Sequence, residues 1–201
     1  MADILKRLSE IGIVPVIALE DAEQAVPLAK ALIAGGLPAA EVTFRTEAGE
    51  EAIRRIYPEN SVICRVSWLY GFGGPSFVHT MLQLADGSRP VLKVVSDQIG
   101  NPTSAVAVSR KLGELLERPE VTGTIHMTCE GEASWADFAR EIFRRKGVKQ
   151  EVLNCTTEEF PRPAPRPKNS RLVKQRLREL GFAPMPDWKD ALSEFLKLEF
   201  K

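Results

Sequence analysis

The chain has 201 residues, with 27 Lys plus Arg against 27 Asp plus Glu, so its formal net charge is zero. That length buries an ordinary core and lies between one domain and two small ones, while balanced charge supplies no field to gather nucleic acid or an acidic membrane surface, which excludes both as partners. The cysteines Cys64, Cys129 and Cys155 are odd in number and form no C-x-x-C pair, "MADILKRLSEIG" has no signal-peptide character, and no apolar run reaches bilayer length; a reduced, cytoplasmic protein is expected.

"DILKRLSEIG" reads as a short helix stopped by Gly12, and Ile13 to Leu19 as a buried strand. Asp21 is placed to cap "AEQAVPLAKALIAGG", with Gly35-Gly36 as the left-handed stop. "AAEVTF" is the next strand, and Thr46 is placed to cap "EAGEEAIRRIY". This is β-α-β-α, the grammar of parallel strands with helical crossovers. A third strand spans Ser61 to Trp68, then a glycine-rich "YGFGGPS", a helix near "FVHTMLQLA" and a strand "PVLKVVS". Asn101 is the expected N-cap, with Pro102 first in a helix reaching about Leu116. "GTIHMT" is strand-like, Ser134 and Asp137 form a capping-box pattern closed by Gly147, and "QEVLNC" is a short strand. Four prolines between Phe160 and Pro167 preclude helix and central strand, and two helices, "RLVKQRLRELG" and "DWKDALSEFLKLEF", complete the pattern.

From Ser61 to the C-terminus the ordered phrases "RVSWLYG", "FVHTML", "VVSDQIGNPT", "GTIHMTCEGEASWADFAREIF" and "FPRPAPRPKNSRL" resemble the C-terminal half of the dTDP-4-dehydrorhamnose reductase family, extended short-chain dehydrogenases acting on a nucleotide sugar. Residues 1–57, through "GIVPVIALEDAEQAVPLAKALIAGGLPAAEVTFRTEAGEEAIRRI", resemble the first two β-α units of the 2-keto-3-deoxy-6-phosphogluconate (KDPG/KHG) aldolase family, a barrel fold. The expected fold is therefore α/β: a mainly parallel sheet with flanking helices, partly Rossmann-like over 58–201, preceded by a TIM-barrel-like β-α-β-α segment over 1–57. By resemblance, Glu41 takes the aldolase acid/base role and Arg45 helps hold substrate.

The reductase resemblance implies NADP(H) and a dTDP-linked sugar. However, a reductase of this kind needs a glycine-rich strand-to-helix turn for the dinucleotide phosphates and a Tyr-x-x-x-Lys pair for proton transfer. "AGG" at 34–36 ends a helix, "GFGG" lacks the G-x-x-G spacing, and Tyr57 and Tyr70 are followed at the fourth position by Ser61 and Gly74. An aldolase needs a desolvated lysine, and Lys93 is an ordinary outward-facing strand lysine in this pattern. The expectation is a catalytically incomplete chain without a bound cofactor, retaining a substrate side. Trp68 and Tyr70 would offer flat faces to sugar or nicotinamide, or else pack as core. Gln98, Asn101 and Thr103 would hydrogen-bond near the nucleotide, Asn101 being equally a plain helix cap. Arg166, Asn169 and Ser170 would face diphosphate or base, or Arg166 is an ordinary surface side chain. A lyase, a non-catalytic nucleotide-sugar module, a subunit that pairs with a complete reductase, and a recombined sequence without selected function are the competing readings. His79 and His126 show no second ligand at metal spacing.

Overall fold

The computed structural model describes residues 10–13, 15–37, 40–43, 45–56, 62–118, 120–164 and 166–200. They fall into two compact units: unit 1 holds Met1–Ile63 with Gly113–Thr124, and unit 2 holds Cys64–Leu112 with Ile125–Lys201. Most of the first expected helix lies outside the described residues; Glu10 and Ile11 are helical, and Gly12 takes a φ of 73°.

In unit 1 the Asp21 carboxylate accepts the Glu23 N–H at 2.9 Å. It opens a 3-10 turn, Ala22–Gln24, that leads into α1 (Ala25–Ala34). Pro27 is tolerated because the first turn has no intrahelical acceptor for its missing N–H, and Gly36 ends the helix at φ 81°. Strands β1 (Val16–Ile17) and β2 (Glu41–Val42) pair in parallel. Thr46 does not cap α2 (Gly49–Ile56). Its hydroxyl donates instead to the Leu19 carbonyl, so it fastens the following loop to the segment after β1. Leu19, Ala25 and Ala52 are the buried core here, with Ile17, Leu28, Val42 and Ile56 packed against it.

The remaining strand pairs are short and mainly parallel, and all but Val62–Arg65 with Gly123–His126 lie within unit 2. The strand expected to run to Trp68 ends earlier: β3 covers Val62–Arg65 and pairs with β8 (Gly123–His126). Trp68 breaks the extended run at φ 48°, and β4 (Leu69–Tyr70) starts after it. β4 lies parallel to β7 (Thr103–Ser104), and β5 (Val91–Val95) is parallel to β10 (Glu151–Cys155) along its whole length. β6 (Ile99–Gly100) is paired on both sides, in parallel with β11 (Asn169–Ser170) and antiparallel with β9 (Ala133–Ser134). Helices α3 (Phe77–Leu84), α4 (Ala105–Leu116), α5 (Trp135–Lys146), α6 (Gln175–Glu179) and α7 (Trp188–Glu199) complete the described elements. No helix among the described residues is long and apolar enough to cross a membrane.

α5 carries its own start and stop. The Ser134 side chain accepts from the Asp137 N–H at 3.0 Å, Asp137 accepts from the Ser134 N–H at 3.2 Å, and Gly147 closes the helix at φ 65°. Its apolar face, Ala136, Phe138, Ala139, Ile142 and Phe143, is buried against β5, β10, α3 and α7. His79 joins α3 to α7, with Nδ1 2.8 Å from Ser76 Oγ and Nε2 2.9 Å from Glu199 Oε1. That carboxylate comes from the far end of the chain, which is why no local spacing announced it. Cys129 and Cys155 are buried and Cys64 half-buried, all as free thiols; burial pushes the pKa of each upward.

Glu141 shows what charge adds to α5. Arg144 donates to it through Nε at 2.7 Å and Nη2 at 2.6 Å, and Arg145 through Nε at 2.7 Å. These bonds, Arg144 first, hold its carboxyl at about 2 against an ordinary 4.5. A depressed folded-state pKa stabilises above the unfolded value and loses that contribution as pH falls through the folded one. Arg144 is 63% exposed, so solvent screens the pair. We expect Glu141→Gln to cost about 1–2 kcal/mol at pH 7 in urea denaturation. The difference should shrink as pH drops from 4.5 toward 2.

Candidate functional site

The segment Asp97–Ser104 lies at the centre of unit 2's polar face because β6 is gripped on both edges. Ile99 opposes Asn169 on one side and Ser134 on the other; Gly100 opposes Ser170 and Ala133. The Ile99 N–H also donates to the Lys168 carbonyl at 2.9 Å. This brings Gln98, Asn101, Thr103, Asn169 and Ser170 together, and the Thr103 N–H bond to the Trp68 carbonyl, 3.1 Å, adds the Trp68 loop.

Asn101 is not a helix cap, since α4 begins at Ala105, and Pro102 precedes it outside the helix. The Asn101 side chain is 4% exposed. Its Nδ2 donates to the Gly131 carbonyl at 2.6 Å and its Oδ1 accepts from the Leu172 N–H at 2.9 Å. Thr103 is wholly buried; its hydroxyl donates to the Asn101 carbonyl at 2.9 Å and accepts from the Cys129 N–H at 3.3 Å. Both residues therefore brace the site from below rather than opening into it.

A polar relay runs beside them. Asp97 Oδ1 accepts the Thr157 N–H at 3.0 Å and its hydroxyl at 2.8 Å. The Thr157 hydroxyl holds the Asp97 carboxyl below its usual range, helped by Lys168. Because that hydroxyl donates to Asp97, it accepts from Gln98 Nε2, 3.1 Å away, which turns Gln98 Oε1 toward the Trp135 Nε1–H at 3.1 Å. The donor at one end and the acceptor at the other fix the amide orientation of Gln98.

The aromatic expectation changes most. Tyr70 is 2% exposed, packed on Phe138 and Phe195 at centroid distances of 5.5 and 5.1 Å. Its hydroxyl has no partner among the described residues, and burial pushes its pKa upward. It is core, unable to face a ligand or exchange a proton. Trp68 stacks on Trp135 with centroids 3.6 Å apart and planes 11° from parallel. A Cβ added to Gly100 would meet Trp68 Cε2, with Cδ2 and Nε1 at 2.7 Å. Gly100 therefore lies close against the Trp68 indole, where a side chain would not fit. Trp68 is half-buried, with one face covered by Trp135. Its left-handed backbone costs a bulky residue about 1–2 kcal/mol, a kind of strain that collects at functional sites.

Arg166 is exposed and, among the described residues, makes no ion pair. Lys168 reaches Asp97 at 3.7 Å and Glu158 at 3.6 Å, and Arg171 reaches Glu132 at 2.8 Å. The Asn169 side-chain oxygen accepts from the Arg171 N–H at 3.0 Å, and Ser170 is half-buried on β11. The rim thus carries three cations, two of them paired with carboxylates and Arg166 in no ion pair among the described residues, and the floor consists of a peptide strand, an indole pair and an amide. Such a surface can bind a phosphorylated, hydroxyl-bearing ligand. Trp135, Gly100, Asp97 and Thr157 belong to the site as much as the residues expected from sequence; "SWADF" and "DQIG" lie inside the recognised phrases, but nothing local pairs them. In unit 1, Arg45 is exposed in the loop after β2, and the Glu41 side chain lies outside what the structure describes. Lys93 is exposed on β5.

Comparison with known proteins gives two family matches: the RmlD substrate binding domain over residues 44–200, and KDPG and KHG aldolase over residues 4–66. The spore coat polysaccharide biosynthesis protein SpsK of Bacillus subtilis is 40% identical over 149 residues, covering 74% of this chain and 51% of its own. The solved dTDP-4-dehydrorhamnose reductase ortholog of Clostridium acetobutylicum is 43% identical with a TM-score of 0.71, covering 75% of this chain and 52% of its own. That of Bacillus anthracis, in complex with NADP, is 38% identical with a TM-score of 0.70 over the same shares. The chain spans about half the length of these relatives.

Proposed function

Because the chain belongs to the RmlD substrate binding domain family, we propose that its reductase-like part, residues 58–201, binds a dTDP-linked sugar on the face built around β6. The supporting observation is the convergence of Trp68, Gln98, Asn169 and Ser170 on β6, with the exposed Arg166 three residues before β11. Arg166 is suited to grip the diphosphate bidentately, with Lys168 adding charge. Asn169 and Ser170 meet sugar or base, while Gln98, 7% exposed with both ends of its amide engaged, holds the floor together with Asn101 and Thr103 rather than reaching a ligand as expected from sequence.

The same reading makes the chain incomplete as a reductase. What supports this is the loop Gly71–Gly74, where the Phe72 ring packs on Phe195 at 5.2 Å and Pro75 removes a donor ahead of α3, a poor seat for dinucleotide phosphates. Neither Tyr57 nor Tyr70 has a lysine four positions on. A complete reductase subunit pairing with this chain would supply the missing chemistry. Calorimetry should show dTDP and dTDP-rhamnose binding to the wild type. Arg166→Ala should weaken both about tenfold, the worth of one charge-assisted contact. Purified protein given NADPH and dTDP-4-dehydrorhamnose should oxidise none; turnover would overturn the incompleteness.

Residues 1–57 we assign to an aldolase-like segment, with Glu41 and Arg45 as remnants of its site. Exposed Lys93 is not desolvated, so borohydride trapping with pyruvate should leave the mass unchanged.

A further inference from the structure

We propose that Ser76, His79 and Glu199 form a second site, a nucleophile, its base and an orienting carboxylate, which takes the acyl group from a small uncharged carboxylic ester and hydrolyses it. All three residues lie in unit 2. None of them belongs to the face built around β6.

Ser76 stands immediately before α3 in the extended conformation of a cap residue, φ −137° and ψ 170°, yet its side chain caps nothing. A capping serine accepts from the backbone N–H two or three positions on. This one is turned to the His79 ring, with Oγ 2.8 Å from Nδ1. The other ring nitrogen, Nε2, lies 2.9 Å from Oε1 of Glu199, the last residue of α7. In a neutral imidazole one nitrogen donates and the other accepts, and a carboxylate only accepts, so Nε2 is the donor and Nδ1 the acceptor. The Ser76 hydroxyl therefore donates to Nδ1. That is the order of nucleophile, base and orienting group that activates a hydroxyl. Phe195 and Phe200 pack on the imidazole with centroids 6.0 and 5.5 Å away.

The helix supplies the rest. The N–H groups of Phe77, Val78 and His79 have no acceptor within α3, and the cap side chain gives them none. They stand beside Oγ at the positive end of the helix, suited to the negative oxygen of a tetrahedral intermediate. The approach is open: Phe72, Gly73, Gly74 and Pro75 are exposed, Ser76 is half-buried, and a Cβ added at Gly73 or Gly74 would meet nothing within 4 Å. The neighbouring rings of Phe72, Phe195 and Phe200, with the Glu199 carboxylate beside them, favour an uncharged acyl group over an anionic one. In the first step Oγ bonds to the acyl carbon as its proton passes to Nδ1, and the bond to the alcohol breaks as the alcohol takes that proton. Water then attacks the acyl-Ser76 ester, giving a proton to Nδ1 that returns to Oγ as the acid leaves. Ester and water become acid and alcohol. Glu199 touches no reacting atom and is a positioning residue.

The experiment uses the full chain and two probes. Diisopropyl fluorophosphate, which leaves a stable adduct on an activated serine, should modify Ser76 and leave the exposed Ser109 untouched when the adduct is mapped by mass spectrometry. With p-nitrophenyl acetate, nitrophenolate release should continue past one equivalent, be lost in Ser76→Ala and slow about a hundredfold in His79→Gln, the lower end of what a positioned base contributes. Nitrogen-15 spectra of the wild type should place the His79 ring proton on Nε2. Glu199→Ala should slow turnover and spread that proton over both nitrogens, a change that a purely structural tie between α3 and α7 would not link to rate. A Ser76 left unmodified, or modified no faster than Ser109, would overturn the proposal. So would release that stops at one equivalent, or equal turnover by wild type and a folded Ser76→Ala. The wild-type adduct map decides the matter even if a variant does not fold, and dTDP binding at the β6 face bears on none of these results.

Discussion

Phe138→Ala is expected to destabilise unit 2 by about 3–5 kcal/mol, the range for deleting a buried phenyl ring from a close-packed core. The side chain is 1% exposed and touches four other rings: Tyr70 at 5.5 Å, Phe77 at 5.3 Å, Trp188 at 5.7 Å and Trp135 at 6.5 Å. α5 is held at both ends by its caps and cannot slide to close the void. A loss of that size takes most of the stability of a typical domain, which is about 5–15 kcal/mol. Urea denaturation followed by tryptophan fluorescence should therefore show a much lower midpoint with little change in slope. Phe160→Ala is the control. Phe160 is 43% exposed, with the Arg162 guanidinium 4.5 Å from its centroid, so its loss should stay within about 0.5 kcal/mol. A cost below 1 kcal/mol for Phe138→Ala would mean that these rings do not pack as described.

What the sequence revealed depended on how far apart the cooperating groups lie. The caps of α5 were legible because Ser134, Asp137 and Gly147 act within one helix. Asp21 and Gly36 were legible for the same reason. Thr46 and Asn101 have cap chemistry too, but each spends its polar side chain on a distant backbone group, Leu19 in one case and Gly131 and Leu172 in the other. Tertiary hydrogen bonds outcompeted local ones, and no spacing rule reports that. Trp68 was legible as an aromatic at a strand end. Its left-handed backbone and its contacts with Gly100 and Trp135 were not, since both partners come from distant parts of the sequence. The family resemblance did locate the right segment, as the match over residues 44–200 bears out, yet it could not say that Tyr70 points inward.

Asn101 lets the two readings be separated by magnitude. As a helix cap, its replacement by alanine would cost about 0.5–2 kcal/mol and would affect only α4. As the link seen in the structure, its loss strands two groups, the Gly131 carbonyl and the Leu172 N–H. Each unsatisfied group costs about 1–3 kcal/mol, so Asn101→Ala should cost about 2–6 kcal/mol and weaken dTDP binding as well. The second effect follows because Leu172 ends the segment carrying Arg166, Asn169 and Ser170, and an untethered Leu172 frees β11 from β6. The relaxation cannot be absorbed at Gly131, where φ is 79° and the Trp188 ring sits 2.8 Å from where a Cβ would be. Asn101→Asp sharpens the test. The introduced carboxyl still accepts from Leu172 but, once ionised, faces the Gly131 carbonyl without a proton to give. Burial and that carbonyl raise its folded-state pKa above the unfolded value of about 3.9, so the variant should be nearest to wild type below that pH and fall further behind as pH rises through it. Urea midpoints at pH 3.5 and 7, with the dTDP affinity of each variant at pH 7, would decide. A pH-independent loss of about 1 kcal/mol with unchanged affinity would return Asn101 to the role of a cap.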